Sequence, residues 1–290
     1  MTAHAMPAKG NLGAISDRAF LVTAGGSGIG RACARAIAAA GGRVAIADIN
    51  EVAANDTVAE MTARGGSAIA VAADVRKRAE VEAAVDATER AFGRLSGLVA
   101  AAGISIPEPA AEINRASWDA VIGLSLTSCF VTCQVAGRRM IAGGGGAIVT
   151  ISSSDAFSAH AGRLSYCAAK FAMVGLVRTL ALEWGRHNIR VNTVAPGITD
   201  TPAARRNVPA EQIENVLIDR TPLARMGDPD EMGRAAAFLL SDAASYISGA
   251  VIPVDGGLTA GYITRWNGGD YASKRMLANG EYGPPLARAT

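Results

Sequence analysis

The segment SYCAAKFAMV, residues 165 to 174, puts a phenol and an amine four positions apart in a stretch otherwise rich in Ala and Val. If the stretch is helical, Tyr166 and Lys170 share one face. Two readings follow: a surface pair in which the lysine stem lies along a ring, or an acid and the cation that tunes it. Oxidising an alcohol by hydride transfer needs a base to take the hydroxyl proton. A free phenol, with a pKa of about 10, is mostly protonated at neutral pH, and a neighbouring ammonium favours its ionised form. Tyr166 then becomes a general acid/base with its pKa brought toward the working range. Ser153, thirteen residues earlier, ends the apolar run of IVTISSSDAF. There its hydroxyl would donate to the substrate oxygen and steady the charge developing on it.

A second group of residues suits a dinucleotide. The run AFLVTA leads into TAGGSGIGRACARAIAAAG, with glycines at 25, 26, 28 and 30 opening an Ala-rich segment. Such a turn brings backbone N–H groups at a helix start close to a pyrophosphate. Asp48 closes the next apolar run eighteen residues beyond Gly30, where a carboxylate accepts from a ribose diol. The strict GxGxxG spacing is absent, so the weight rests on the whole order of strand, glycine turn, helix, strand and Asp. The alternative is a tight structural turn with a capping Asp. Asp48 repels a 2′-phosphate, Ile49 brings no cation and Ser27 is uncharged, which favours NAD over NADP; Arg31 is near enough to soften that preference. Asp74 ends a third run, either beside the adenine or as a helix N-cap.

These residues need a scaffold, and the sequence supplies one. Apolar runs at 19–24, 43–48, 67–74, 97–103, 146–153, 189–196 and 250–257 alternate with helical patterns at 28–40, 51–64, 78–92, 116–142, 165–185 and 228–241. Runs apolar on both faces belong in a parallel sheet covered on both sides. The expectation is a Rossmann-type α/β fold: a doubly wound parallel sheet with helices on both faces, in a single domain. Ligands of such sheets bind beyond the carboxyl ends of the strands, which is where Ser153, Asp48, Asp74 and the glycine turn fall. Residues 1–15 read as a flexible lead-in without the apolar core of a secretory signal, 16–262 as the catalytic domain, and 263–290 as a C-terminal extension.

Ser153, Tyr166 and Lys170 together resemble the catalytic set of the short-chain dehydrogenase/reductase family, classical type. The resemblance covers roughly residues 16 to 262 and takes in the glycine turn at 23–30, Asp74, AAAG at 100–103, VNTVAPGITDTP at 191–202 and SDAASYISGAVIPVDGG at 241–257. It implies that Lys170 hydrogen-bonds the nicotinamide ribose. It implies that the Ile198 backbone, after Pro196 and Gly197, holds the carboxamide, and that Thr201 bonds the cofactor. Tyr166, Thr23, Gly25, Ser27, Gly28, Ile29, Gly30, Asp48, Ile49, Asp74, Val75, Ala101, Ala102 and Gly103 would complete the dinucleotide site. A plain strand-ending turn also accounts for Pro196 and Gly197, and Asn192 reads as structural. The resemblance further implies a homotetramer, sometimes a homodimer, built on the helices at 116–142 and 165–185.

The sequence departs from the family pattern in three places. Ala24 stands where glycine usually follows the threonine, with Gly25 and Gly26 expected to supply the flexibility. Ala100 and Ala101 replace a usual pair of asparagines. Ser125 occupies the place of an asparagine thought to hold a water between the lysine and solvent; as a shorter member of the catalytic set it is expected to leave activity intact.

Composition excludes other classes. A net charge of +2 with no basic run argues against nucleic acid. No apolar stretch is expected to reach membrane-spanning length. Three histidines and four cysteines without CxxC spacing argue against a metal; the cysteines read as buried free thiols of a cytoplasmic protein. Substrate-facing residues are expected among Ser154, Asp155, His160, Arg163 and Arg205, where an arginine would clamp an anion or simply be a solvated charge. The expected enzyme transfers a hydride between NAD(H) and a secondary alcohol or ketone: a small alcohol, polyol, sugar or hydroxy acid. The alternatives are a 3-oxoacyl thioester reductase, disfavoured by Asp48, and a catalytically silent nucleotide-binding regulator, disfavoured by an intact Ser153–Tyr166–Lys170 set. YASK at 271–274 repeats the motif by chance, and Asp270 with Gly280 would cap a short helix.

Overall fold

The structure, a computed structural model, describes residues 15–261 and the backbone of 265–266 and 269–270. The strands β1 (Ala19–Thr23), β2 (Arg43–Asp48), β3 (Ser67–Ala72), β4 (Leu95–Ala100), β5 (Gly146–Ile151), β6 (Ile189–Pro196) and β7 (Val251–Val254) form one sheet. Its order is β3-β2-β1-β4-β5-β6-β7 and every pairing is parallel. The chain winds outward from β1 in one direction and from β4 in the other, so the crevice between their carboxyl ends is the switch point of the topology.

Alternation along each strand builds two cores. Leu21, Leu98 and Ile148 face one side, with Val81 and Val85 from α3 (Arg78–Phe92), Cys133 and Met140 from α5 (Ser128–Ala142), and Met173 and Val177 from α6 (Leu164–Trp184). Phe20, Val22, Val99 and Val149 face the other, with Ile37 from α1 (Gly28–Ala39), Met61 from α2 (Glu51–Ala63) and Met232 and Leu239 from α9 (Pro229–Leu240). Each strand thus feeds both layers, which is why its sequence reads as an unbroken apolar run.

Four features bear on the sequence-based expectation. The helix expected over 116–142 is α4 (Arg115–Ile122) and α5, joined by a π-helical turn at Gly123–Thr127. Between β6 and α9 lie α7 (Pro202–Asn207) and α8 (Ala210–Gln212), the latter running into a second π-helical turn at Ile213–Ile218. Gly269–Asp270 (β9) pairs antiparallel with Arg265–Trp266 (β8), and the short helix expected between Asp270 and Gly280 lies outside the described residues. The rest of the tail and of the lead-in lies outside the described residues.

The fourth concerns length and apolarity. Arg115–Ala142 and Leu164–His187 are long and apolar enough to cross a membrane, with mean hydropathies of 1.6 and 1.3. Both lie along the sheet and bury one side in the core. Their apolar surplus comes from the outer side, where Phe130, Leu164, Phe171 and Leu182 are exposed.

Candidate active site

The end of β5 and the start of α6 meet through four polar groups. Ser152 is buried, its N–H bonded to the Val194 carbonyl and its hydroxyl to the Lys170 carbonyl. Ser153 follows, and its Oγ accepts the Asp155 N–H at 3.1 Å, capping a 3-10 turn at Ser154–Ala156. Lys170, only 3 % exposed, donates from Nζ to the Ile151 carbonyl at 2.8 Å. That ammonium also sits 5.4 Å from the centre of the Tyr166 ring, one helical turn away, and the Ser153 hydroxyl is close enough to the phenol to favour its ionised form. The structure therefore assembles the three residues that the sequence singled out.

Their protonation differs from expectation. Burial pushes the Tyr166 phenol up to about 12, and the Asp155 carboxylate adds to the rise, against the opposing pull of the Ser153 hydrogen bond. Burial also lowers the Lys170 ammonium to about 8. Low-dielectric surroundings penalise whichever form is charged. Desolvation thus dominates, and the phenol's pKa moves up and away from neutral pH rather than down toward it.

Ser125 is completely buried in the first π-helical turn. Its Oγ accepts the Ile104 N–H and donates to the Ile104 carbonyl, both at 3.1 Å. A Cβ added at Gly103 would lie 3.4 Å from this Oγ and 3.5 Å from Lys170 Nζ, so both groups flank the same glycine. The serine thereby pins the chain after β4 beside the lysine. One acceptor lone pair remains on its hydroxyl for a water.

The glycine turn has the shape that a pyrophosphate requires. Ser27 makes no side-chain cap to α1, so the first-turn N–H groups stay open to an anion. A Cβ at Gly30 would fall 2.1 Å from the Ala24 carbonyl oxygen, and one at Gly28 would reach Thr201 at 3.4 Å. Positive φ falls on Ala24 (51°) and Gly28 (52°) and on neither Gly25 nor Gly26, so those two glycines do not relieve the departure at 24. A left-handed non-glycine residue costs about 1–2 kcal/mol, of which glycine's larger unfolded-state entropy returns about 0.5–1. Ala24→Gly is accordingly expected to raise Tm by about 1–4 °C in a thermal melt.

Around this turn the sequence-predicted residues take definite places. Asp48 accepts the Gly26 N–H and the Asn50 N–H, each at 2.9 Å and each on a different oxygen; each oxygen keeps a lone pair for a diol. Ile49 is exposed beside it. Arg31 donates to Glu60 of α2 at 3.0 Å instead of approaching Asp48. Asp74 does not cap α3, whose N-cap is Lys77; it forms a two-toothed ion pair with Arg76, at 2.9 and 2.7 Å, which holds its carboxyl below its ordinary pKa. Val75 is buried in the core. The Thr23 hydroxyl accepts the Ala101 N–H at 3.1 Å, tying β1 to the chain after β4 across the switch point. Ala102 packs on the core, and Ile29 lies in the first turn of α1.

On the far side, Pro196 ends β6 and Gly197 passes close to Asp255, where a Cβ would meet its Cα at 2.8 Å. The Ile198 carbonyl accepts from Gly227, and its N–H has no partner among the described residues. Thr201 caps α7 through the Ala204 N–H at 3.1 Å and keeps its own hydroxyl proton available. Asn192 is structural, joining β6 to 247–250 through the Ile247 carbonyl and the Ala250 N–H. These features fit a dinucleotide.

Of the substrate candidates, Asp155, His160 and Arg163 gather between Ser153 and α6. Burial raises the Asp155 carboxyl, and Arg163 and His160 partly oppose the rise. Burial and the Arg163 charge lower His160. Ser154 is buried, its carbonyl accepting from Phe157 and Ser158. Arg205 is gripped by Asp200 at 2.7 and 2.8 Å and exposed, so it serves as a surface charge there. Two neighbours had no signal in the sequence: Glu108, whose N–H bonds the Gly162 carbonyl, and Arg220, whose charge reaches His160.

All four cysteines are free and buried, and burial pushes the Cys33 thiol up to about 12. Cys167 Sγ bridges the N–H and the carbonyl of His160. Among the described residues no group of three potential metal ligands exists.

Comparison with known proteins extends this picture. Residues 23–259 match the family model described as "Enoyl-(Acyl carrier protein) reductase". The chain is 39% identical over 245 residues to D-threitol dehydrogenase of Mycolicibacterium smegmatis, covering 84% of this chain and 94% of that one. It is 40% identical over 248 residues to cis-4-hydroxycyclohexanecarboxylate dehydrogenase of Sinomonas cyclohexanicum, covering 85% and 98%. The solved structure of a 7α-hydroxysteroid dehydrogenase complexed with NADH and 7-oxo glycochenodeoxycholic acid superposes with a TM-score of 0.82 at 36% identity, covering 87% of this chain and 98% of that chain. With the sheet order, the glycine turn and the Ser153–Tyr166–Lys170 cluster already in place, these matches establish that the chain belongs to the short-chain dehydrogenase/reductase family.

Proposed function

We propose that the protein is an NAD-dependent oxidoreductase interconverting a small secondary alcohol and its ketone, with Tyr166 as the general acid/base. The observation that carries this reading is the gathering of three side chains: Ser153 at the end of β5 acting on the Tyr166 phenol, and the Lys170 ammonium 5.4 Å from its ring on the next helical turn. A bound nicotinamide dinucleotide would donate or accept the hydride, held by the α1 N–H groups, Asp48, the Ile198 N–H and Thr201. Ser153 donates to the carbonyl or carbinol oxygen and stabilises its partial negative charge. Tyr166, protonated at neutral pH, delivers its proton to that oxygen during reduction and takes it back during oxidation. Lys170, anchored on the Ile151 carbonyl, sets the electrostatics of the phenol and directs its own protons toward the ribose.

The assembled catalytic set supports turnover over a silent nucleotide-binding role. Asp48, uncompensated because Arg31 is committed to Glu60, supports NAD over NADP and with it a dehydrogenase over a 3-oxoacyl reductase. The free buried thiols support a reducing cytoplasm. The exposed apolar side of α5 and α6 supports a homotetramer or homodimer built on those helices.

The test is a panel of secondary alcohols, polyols and hydroxy acids assayed with NAD and NADP at the reduced-nicotinamide absorbance band. Turnover of none of them with either cofactor would refute the reading. In the same assay, Asp48→Ser is expected to lower the NAD-to-NADP ratio of kcat/KM at least tenfold by removing the charge that repels a 2′-phosphate.

A further inference from the structure

We propose that Asp155 selects substrates carrying a second hydroxyl beside the reacting carbinol, so that the enzyme takes diols and polyols ahead of simple alcohols and hydroxy acids. This inference rests on the alcohol-dehydrogenase reading of the same site. Three observations carry it. The Asp155 N–H is hydrogen-bonded to Ser153 Oγ at 3.1 Å, and the 3-10 turn that Ser153 caps holds Asp155 two residues beyond it. Its half-buried carboxylate has no hydrogen-bond donor among the described residues, although Arg163 and His160 are close enough to be felt. Its charge also reaches inward: Tyr166 feels Asp155 more strongly than Arg163, and Lys170 feels Asp155.

A half-buried acceptor without a donor is costly to desolvate further. A substrate that covers Asp155 must therefore bring a donor. A second hydroxyl on the carbon next to the reacting one does so. A mono-alcohol leaves the carboxylate dry and unpaired, and a carboxylate-bearing substrate meets repulsion close to the phenol. Sites that hydrogen-bond a substrate hydroxyl discriminate strongly against analogues lacking it. Arg163 acts on the Asp155 charge and on His160, and Arg220 acts on His160, so the loop carries cations as well as the carboxylate.

The experiment compares 2,3-butanediol, 2-butanol and 3-hydroxybutyrate with NAD in the wild type, Asp155→Asn and Asp155→Ala. The wild type is expected to favour the diol over the mono-alcohol at least tenfold in kcat/KM. Asp155→Ala should lose at least tenfold more on the diol than on 2-butanol, with the excess loss chiefly in KM, and should gain on 3-hydroxybutyrate relative to 2-butanol. Asp155→Asn should keep part of the preference, since its amide oxygen still accepts. NADH fluorescence titrations and melting temperatures, unchanged across the three proteins, show that fold and cofactor site persist. Turnover of 2-butanol as good as that of the diol in the wild type, or equal losses on both in Asp155→Ala, overturns the role of Asp155 while leaving the dehydrogenase standing. A wild type inactive on all three alcohols and on the wider panel overturns both.

Discussion

Replacing Tyr166 by phenylalanine is expected to lower turnover by two to four orders of magnitude while NADH binding and the melting temperature stay close to wild type. The substitution keeps the ring at the start of α6 and removes a single oxygen, the one on which Ser153 acts. The phenol is pushed up to about 12, so at neutral pH it holds its proton and can serve as the acid for a carbonyl oxygen. The part of the pH profile that belongs to this acid should therefore be flat across neutral pH and fall only in strongly alkaline solution, while a step near pH 8 would report Lys170. The phenylalanine variant has no such group, and its residual rate should lack that alkaline fall. Retention of more than a tenth of wild-type turnover would show that another group moves the proton.

Lys170→Met is expected to be nearly as damaging to turnover yet to favour the folded state. The wild-type ammonium is buried and its pKa falls from 10.5 to about 8. The unfolded chain then binds more protons between pH 8 and 10.5, so this group makes stability rise with pH in that window. Its burden is full below pH 8 and gone above 10.5. The gap is worth roughly 3 kcal/mol, offset at every pH by about 1–3 kcal/mol for the Ile151 carbonyl left without its donor. The Tyr166 shift from 10 to about 12 acts above pH 10 with the opposite sign, but it is present in both proteins and largely cancels between them. Urea denaturation at a series of pH values should show the wild type gaining on Lys170→Met by roughly 3 kcal/mol between pH 7 and 10.5. A constant difference across that range would mean that the amine is not buried in its charged form.

Much of this architecture was legible in the sequence, for a physical reason. Strands buried on both faces carry no polar interruption, and every apolar run expected from 19–24 to 250–257 overlaps an observed strand. The gathering of Ser153, Tyr166 and Lys170 was legible because Tyr166 and Lys170 are related by one helical turn and Ser153 by a strand end, all local spacings. What escaped were properties that depend on the whole packed molecule. The direction of the Tyr166 shift follows from burial that no four-residue spacing reveals. The engagement of Asp74 by Arg76 and of Arg31 by Glu60 depends on side-chain geometry, and the second of these joins separate helices. The π-helical turn carrying Ser125 hides in an apolar stretch that scans as one uninterrupted helix. The substrate loop was least legible, because Glu108 and Arg220 reach it from segments distant in sequence.

The burial of all four thiols has a consequence for how the molecule meets oxidants and alkylating reagents. Cys33, Cys129, Cys133 and Cys167 lie within packed helices, so their modification has to wait for local breathing of the chain. The rate at which each sulfur reacts then becomes a clock for the opening of its own helix. Cys167, clasped to the backbone of His160, keeps time for the loop beside the catalytic tyrosine.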